Sequence, residues 1–260
     1  MQDLLRDRIV LITGGTQGLG AGVARAAVRE GATVVLTGRD VARGEEVVAG
    51  VTAAGARASF VRADLTDVDQ ARAAVSATVE RHGRIDALVN AAGLTARGSL
   101  LDTTPELFDE HLAVNLRAPF FLMQAAVADM RRRAAPGSVV NILSIDSHGG
   151  QAFLAPYVAA KAGLAGLTRN VAHAHRWDRI RVNGLNIGWT ATDGEDVTQR
   201  LAHGADDDWE RRAAATLPMG RLGQVDEIAD AVVFLLSDRS GVVTGSVIDW
   251  DQTVIGGLGP

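Results

Sequence analysis

The chain has 260 residues, 47% of them hydrophobic and 22% charged, enough apolar material for one large α/β core or two small ones. Its formal charge of −5 argues against nucleic acid or an anionic membrane as a partner, and the absence of cysteine excludes disulfides, thiolate metal sites and cysteine nucleophiles together. No apolar run is long enough to span a bilayer and the opening MQDLLRDRIV is too charged for a signal peptide, so a soluble, cytoplasmic protein is expected.

The first β-branched run, Ile9–Thr13, is predicted to be a strand. It leads directly into Thr13-Gly14-Gly15-Thr16-Gln17-Gly18-Leu19-Gly20 and a helix predicted over Gly20–Arg29. Glycines there permit a tight turn and let backbone N–H groups approach a pyrophosphate, while the helix N-terminus adds positive partial charge. A purely structural turn also wants glycine; the position at the first junction of a repeating α/β pattern carries the dinucleotide reading. The second strand, Thr33–Thr37, and a helix over Val41–Ala54 bracket Gly38-Arg39-Asp40. An acid near this point would meet the adenosine ribose 2′-OH of NAD(H), and an arginine the 2′-phosphate of NADP(H). Gly38 offers no carboxylate and Arg39 offers a fork that matches phosphate, whereas Asp40 could be the N-cap of the next helix. NADP(H) is therefore favoured over NAD(H).

Further strands are predicted at Ala58–Arg62, Ala87–Asn90, Val139–Leu143, Arg181–Ile187 and Ser246–Trp250, with Ala- and Arg-rich helical segments between them. Continuously apolar stretches such as Val34-Val35-Leu36 suit a parallel sheet covered on both faces. The expected fold is one Rossmann-like, doubly wound α/β domain over residues 1–260, with a seven-stranded, mainly parallel sheet. Residues 190–217, with GED and DDD, are the least regular stretch and are expected to form a substrate lid at the carboxyl end of the sheet.

Tyr157 and Lys161 lie one turn apart on one face of a predicted helix, so both polar heads can act on one atom. An ammonium beside a phenol favours the phenolate, lowering a pKa that starts near ~10. Alone, a tyrosine four before a lysine is a common coincidence. Here Ser144 stands thirteen residues earlier, and the chain as a whole resembles the short-chain dehydrogenase/reductase family. The carriers of the resemblance are Thr13–Gly20 as TGxxxGxG, Asp64 after the third strand, Asn90-Ala91-Ala92-Gly93, Asn115 in Val-Asn-Leu, the Ser144/Tyr157/Lys161 set, and Arg181-Val182-Asn183 followed by Gly188-Trp189-Thr190-Ala191-Thr192.

The resemblance implies reversible hydride transfer between a nicotinamide and a carbonyl or alcohol carbon, with Tyr157 as proton donor or acceptor. It also implies that Lys161 lowers the tyrosine pKa and holds the nicotinamide ribose, that Ser144 binds the substrate oxygen, and that Asn115 links Lys161 to solvent through water. Cofactor contacts are implied for Gly14, Thr16, Gln17, Gly18, Leu19 and Gly20 in the turn and for Arg39, Asp64 and Leu65. Asn90, Ala91 and Gly93 would line the middle of the cofactor, and Tyr157, Lys161, Gly188, Trp189, Thr190 and Thr192 its nicotinamide end. Two departures stand out. Ile187 replaces the family's proline, which predicts a freer loop, and Trp250-Asp251-Gln252-Thr253 replaces V-D-G-G near an expected subunit interface.

Asp146 and Gln151, with Asn186 and Trp189 opposite, would face the substrate beside Ser144 and Tyr157. Such a polar cleft suits a sugar or polyol, since an apolar ligand would leave buried polar groups unpaired. Asp146 could equally cap a turn, and His148 could point to solvent. A 3-oxoacyl-thioester reductase is the alternative; a non-catalytic cofactor-binding protein is disfavoured because serine, tyrosine and lysine are all present. His173 and His175 point in different directions, His82, His111 and His203 read as surface or helix-end residues, and no metal is expected. The resemblance implies a homotetramer or dimer built on Pro105–Arg133, Ala152–Trp177 and the C-terminal strand. Ala159, Ala160, Ala162 and Ala165 would permit close helix approach.

Overall fold

Short segments rich in valine, isoleucine and leucine alternate with helices in a computed structural model of the chain, which describes residues 3–52, 55 and 57–256. In order they are β1 (Ile9–Thr13), α1 (Gly18–Arg29), β2 (Thr33–Gly38), α2 (Val41–Thr52), β3 (Arg57–Arg62), α3 (Val68–His82), β4 (Ala87–Asn90) and α4 (Pro105–Leu112). A π turn over Ala113–Arg117 joins α4 to α5 (Ala118–Arg132), followed by β5 (Gly137–Ser144), α6 (Ala155–His175) and β6 (Ile180–Ile187). The chain ends with β7 (Thr190–Ala191), α7 (Asp193–His203), α8 (Trp209–Ala215), β8 (Gly223–Gln224), α9 (Val225–Leu236) and β9 (Val247–Trp250). The helix expected over Val41–Ala54 is present as α2 through Thr52; Ala53 and Ala54 lie outside the described residues.

Seven strands form one sheet in the order β3-β2-β1-β4-β5-β6-β9, every neighbouring pair parallel. Parallel strands need helical crossovers, and these cover both faces. That is why β1 and β5 are buried at every residue. One face packs against α3, α5 and α6 through Leu88, Leu122, Met130, Val139 and Leu164; the other packs against α1 and α9 through Ile12, Val23, Val89, Ile228 and Val232. Strand order reverses between β1 and β4, so the loops leaving those two strands diverge and open a crevice at the carboxyl edge.

Two expectations are corrected. Residues 190–217 are not irregular: they hold β7, which pairs with β8, the helix α7, and α8, which packs Trp209 and Ala213 against Leu222. Ile187 does not loosen its loop. It is the last residue of β6, paired with Ser144 on one side and Trp250 on the other, and Gly188 N–H donates to Trp250 O at 3.2 Å.

Candidate active site

The turn after β1 is tight because no side chain fits it. A Cβ on Gly20 would stand 2.2 Å from Gly14 O, and one on Gly14, whose φ is +65°, would stand 2.8 Å from Ala92 Cα. Thr13 Oγ1 accepts from the N–H groups of Ala91 and Ala92 at 3.1 and 3.2 Å, tying this turn to the segment after β4. Beyond the turn runs a groove of about 880 Å³ lined by Thr16, Gln17, Gly18, Arg43, Thr192 and Val197. Narrow glycine turn, helix N-terminus and adjoining groove fit a dinucleotide pyrophosphate.

At the adenosine end Asp40 accepts from Arg43 N–H at 3.1 Å and so caps α2, which leaves Arg39 exposed as the first charged side chain past β2. Arg43, which sequence reasoning passed over, donates to Gln17 Oε1 at 2.6 Å and adds a second guanidinium beside the groove. Asp64 Oδ1 accepts from Thr66 N–H and Oγ1–H at 3.0 and 2.9 Å. Those bonds, aided by the charges of Arg39 and Arg62, hold its carboxyl below the usual range. The Leu65 side chain is buried in the core.

Asn90 Nδ2 donates to Asn141 Oδ1 (2.8 Å) and Asn141 Nδ2 to Thr168 Oγ1 (2.9 Å), a buried relay joining β4, β5 and α6. Gly93 lies beside Asn115 and Lys161: a Cβ there would be 3.7 Å from Asn115 Oδ1 and 4.0 Å from Lys161 Nζ. Asn115 sits in the π turn, a register slip that carries its side chain back to the loop after β4. Its Oδ1 accepts from Leu94 N–H and its Nδ2 donates to Leu94 O, both at 2.9 Å. The carboxamide is thus committed to the loop, and its own part is to hold that loop.

His111 stands in the last turn of α4, as the helix-end alternative had it, and only the surface alternative is corrected. It is fully buried, not a surface residue; Nε2–H donates to Ala96 O at 3.0 Å, and Nδ1 accepts from Asn115 Nδ2 at 3.2 Å. Burial holds its pKa below the ordinary value, which favours the neutral ring these bonds require. The ring meets Tyr157 edge-on at 6.3 Å between centroids. Its spacing, one turn before Asn115 on the same helix face, was the available signal.

Tyr157 is half-buried, and the Ser144 hydroxyl is near enough to act on its phenol. Ser144 Oγ accepts from Asp146 N–H at 3.2 Å and donates weakly to Asp146 Oδ2 at 3.4 Å. Burial raises the Asp146 pKa, and burial pushes the Tyr157 phenol up to about 12, with Asp146 and Glu195 adding to the rise and Ser144 and Arg97 opposing it. The net shift of the phenol is upward because burial outweighs the groups that oppose it. Lys161 Nζ lies 5.6 Å from the Tyr157 ring centre and donates to Ile142 O at 2.7 Å, and burial brings it down to about 8.

Of the remaining substrate candidates, Gln151 is exposed. Asn186 is fully buried, its Nδ2 donating to Asp249 Oδ1 (2.7 Å) and its Oδ1 accepting from Ser147 Oγ (3.0 Å). Its amide is therefore occupied within the sheet end and does not face the cleft as expected. His148 joins the same network, 2.9 Å from Asp249. Trp189 stacks on Trp209 and donates to Glu195 Oε1 at 2.8 Å, so it ties the segment after β6 to α7 and α8. Thr190 Oγ1 bonds back to Gly188 O, and Thr192 Oγ1 caps α7 by accepting from Glu195 N–H at 3.0 Å. Gly188 admits no side chain, because Asp251 Oδ1 would lie 1.8 Å from its Cβ.

A dinucleotide cradle and a Ser-Tyr-Lys cluster, side by side at the carboxyl edge of a doubly wound sheet, define a nicotinamide-dependent oxidoreductase. The family model described as enoyl-(acyl carrier protein) reductase matches residues 14–253. The chain is 35% identical to 2-(S)-hydroxypropyl-CoM dehydrogenase 3 of Xanthobacter autotrophicus, over 98% of this chain and 100% of that one. It is 36% identical to L-rhamnose 1-dehydrogenase (NAD(P)(+)) of Azotobacter vinelandii over 94% of each. The crystal structure of F189W actinorhodin polyketide ketoreductase with NADPH superposes with a TM-score of 0.89 at 28% identity, covering 97% of both chains. The chain belongs to the short-chain dehydrogenase/reductase family, and it is an NAD(P)-dependent oxidoreductase acting on CH–OH and C=O groups.

Proposed function

We propose that the enzyme interconverts a secondary alcohol and a ketone or aldehyde on a polyhydroxylated substrate, a sugar or polyol, using NADP(H) in preference to NAD(H). The observation that carries this reading is the cluster Tyr157–Ser144–Asp146, in which phenol, hydroxyl and carboxylate meet at the mouth of the cofactor crevice. The likeness to an L-rhamnose dehydrogenase supports a hydroxylated substrate.

When bound, the cofactor supplies or accepts the hydride. Ser144 Oγ orients the reacting oxygen; in reduction the Tyr157 O–H delivers its proton to the developing alkoxide, and in oxidation the Tyr157 phenolate takes the proton of the alcohol. The raised pKa of Tyr157 favours the protonated form that donates in reduction. Lys161 lies next to Gly93 and would hold the ribose hydroxyls. Its buried ammonium, next to the phenol, stabilises the phenolate once the proton has left. Asn115 and His111 fix the loop that forms one wall. Arg39, with Asp40 already committed to capping α2, would pair with a 2′-phosphate.

Turnover of an aldose and polyol panel beside an acetoacetyl thioester, with NADP(H) and with NAD(H), in wild type and Arg39→Ala, tests the reading. We expect hydroxylated compounds to be used, NADP(H) to bind more tightly, and Arg39→Ala to erase that margin. The second reading, a 3-oxoacyl-thioester reductase, is favoured by the family description and the ketoreductase likeness; thioester turnover without polyol turnover would establish it.

For assembly we propose a homotetramer or dimer formed in the cytoplasm through α4, α5 and α6. A trough of about 890 Å³ runs between them, lined by Leu112, Leu116, Phe120, Gly163, Gly166 and Leu167. The small exposed face of α6 is Ala159, Ala162, Gly163 and Gly166, whereas Ala160 and Ala165 are buried in the protein's own core.

A further inference from the structure

Arg97 belongs to none of the motifs, yet it stands at the mouth of the catalytic cleft. The loop that carries it is pinned on both sides. Ala96 O is held by the buried His111 ring, and Gly98 exchanges hydrogen bonds with the segment just before Tyr157: Gly98 N–H donates to Phe153 O at 2.9 Å and Ala155 N–H donates to Gly98 O at 3.0 Å. Arg97 itself is half-buried, its guanidinium lying over the Phe153 ring at 5.3 Å. Its hydrogen bonds go only to neutral acceptors, Thr95 O at 3.0 Å and His203 Nε2 at 3.1 Å. A guanidinium has no acceptor to offer, so His203 Nε2 accepts and the ring proton sits on Nδ1.

Most arginines of this chain that bond a side chain bond a carboxylate: Arg8, Arg84, Arg133, Arg200, Arg212 and Arg221 all do. Among the described residues no carboxylate lies within ion-pair reach of Arg97, although three occupy the same cleft. Asp146 is folded against Ser144 and Gly150, Glu195 accepts from Trp189 and Gln199, and Asp251 lies against Gly188. Arg97 is nevertheless close enough for its charge to act on both Asp146 and the Tyr157 phenol. A guanidinium held over the Phe153 ring, with a planar fork and no anion of its own, is built to receive one.

We propose that Arg97 binds an anionic group, a carboxylate or sulfonate, on the substrate, so that the enzyme acts on a hydroxy or oxo acid rather than on a neutral sugar or polyol. The inference deepens the hydroxylated-substrate reading and rests on the same catalytic cluster. The anion replaces the His203 contact and bridges Arg97 to the reacting carbon held by Ser144 and Tyr157. Because His203 is the last residue of α7, displacing it also tells the lid that the cleft is filled.

The test uses pairs in which a terminal carboxylate is replaced by a neutral group: gluconate with glucitol, threonate with threitol, and 3-hydroxybutyrate with 2-butanol. Each is assayed for kcat/KM with NADP+ and titrated against the fluorescence of the lid tryptophans, in wild type, Arg97→Gln and Arg97→Lys. We expect the acid of a pair to be preferred by about tenfold or more in wild type, as a charge-assisted bond provides. Arg97→Gln should bring the acid-to-neutral ratio of kcat/KM to near one whatever it does to the absolute rates, and Arg97→Lys should retain part of the preference. Equal use of acid and neutral partner by wild type overturns the proposal and leaves the hydroxylated-substrate reading standing. Preference for 3-hydroxybutyrate with no binding of any polyhydroxylated compound upholds the anion site and defeats that reading. An equal loss on both members of a pair in Arg97→Gln reduces Arg97 to a lid latch and also overturns the proposal.

Discussion

His111 is the residue whose environment most changes the account of the site. Replacing it with alanine leaves Ala96 O and one Asn115 N–H unpaired in a buried space, each worth about 1–3 kcal/mol. We expect His111→Ala to lower the denaturant midpoint and to reduce kcat, with the cofactor affinity kept. Unchanged stability and turnover would show that the ring is dispensable filler. Lys161 gives a pH signature. Folded, it titrates near about 8, below its unfolded value of 10.5, so between those values the unfolded chain holds the extra proton and stability rises with pH. Tyr157 acts in the opposite sense: folded it keeps its proton to about 12, so from 10.0 upward stability falls as pH rises. Urea unfolding at about pH 7.5 and about pH 9.5 should therefore show a gain for wild type and none for Lys161→Met. A parallel gain in both proteins would remove Lys161 as its source.

The elements differ sharply in how they are held. The helices α1 and α9 bury valines, alanines and isoleucines in the core, whereas α7 has no buried residue and is tied down by Trp189–Glu195, Trp209–Asp196 and Arg97–His203. Hydrogen exchange should be fast in α7 and slow in α1 and α9, with bound cofactor and substrate slowing α7 most; uniform protection would rule out a lid. At the cradle, Gly20→Ala would drive a methyl against Gly14 O, so cofactor binding should fall at least tenfold as the turn opens. The strands and the glycine turn were legible in the sequence because parallel strands are apolar throughout and the turn tolerates only glycine. The helices within residues 190–217 were not: α7 and α8 are polar and short, so no apolar stripe marks them. Asn186 was misplaced for a related reason, since residue type alone does not say which way a strand-end amide points. His111 gained its meaning from the loop after β4, whose Ala96 O meets its ring, and Arg97 from standing on that loop beside Phe153 and His203, contacts that no local pattern reveals.

At the scale of the whole molecule, the reversal of strand order between β1 and β4 puts the cradle and the post-β4 loop on facing sides of one crevice, and β5 and α6 deliver Ser144, Tyr157 and Lys161 into it. The opposite, exposed side of α6 carries glycine and alanine where a helix from a second copy could approach. A Cβ on Gly166 meets nothing within 4 Å, so Gly166→Arg is compatible with the folded chain. Light scattering should show it shifted towards monomer relative to wild type; the same mass for both would remove this face from the assembly. The central claim is that a phenol at the mouth of this crevice moves the proton that accompanies hydride transfer. Turnover of Tyr157→Phe on the best substrate of the panel, with cofactor binding measured on the same sample, tests it most directly. The account requires cofactor affinity within about threefold of wild type and kcat reduced by about a hundredfold or more; a Tyr157→Phe enzyme that binds cofactor and keeps a tenth or more of its turnover would contradict it.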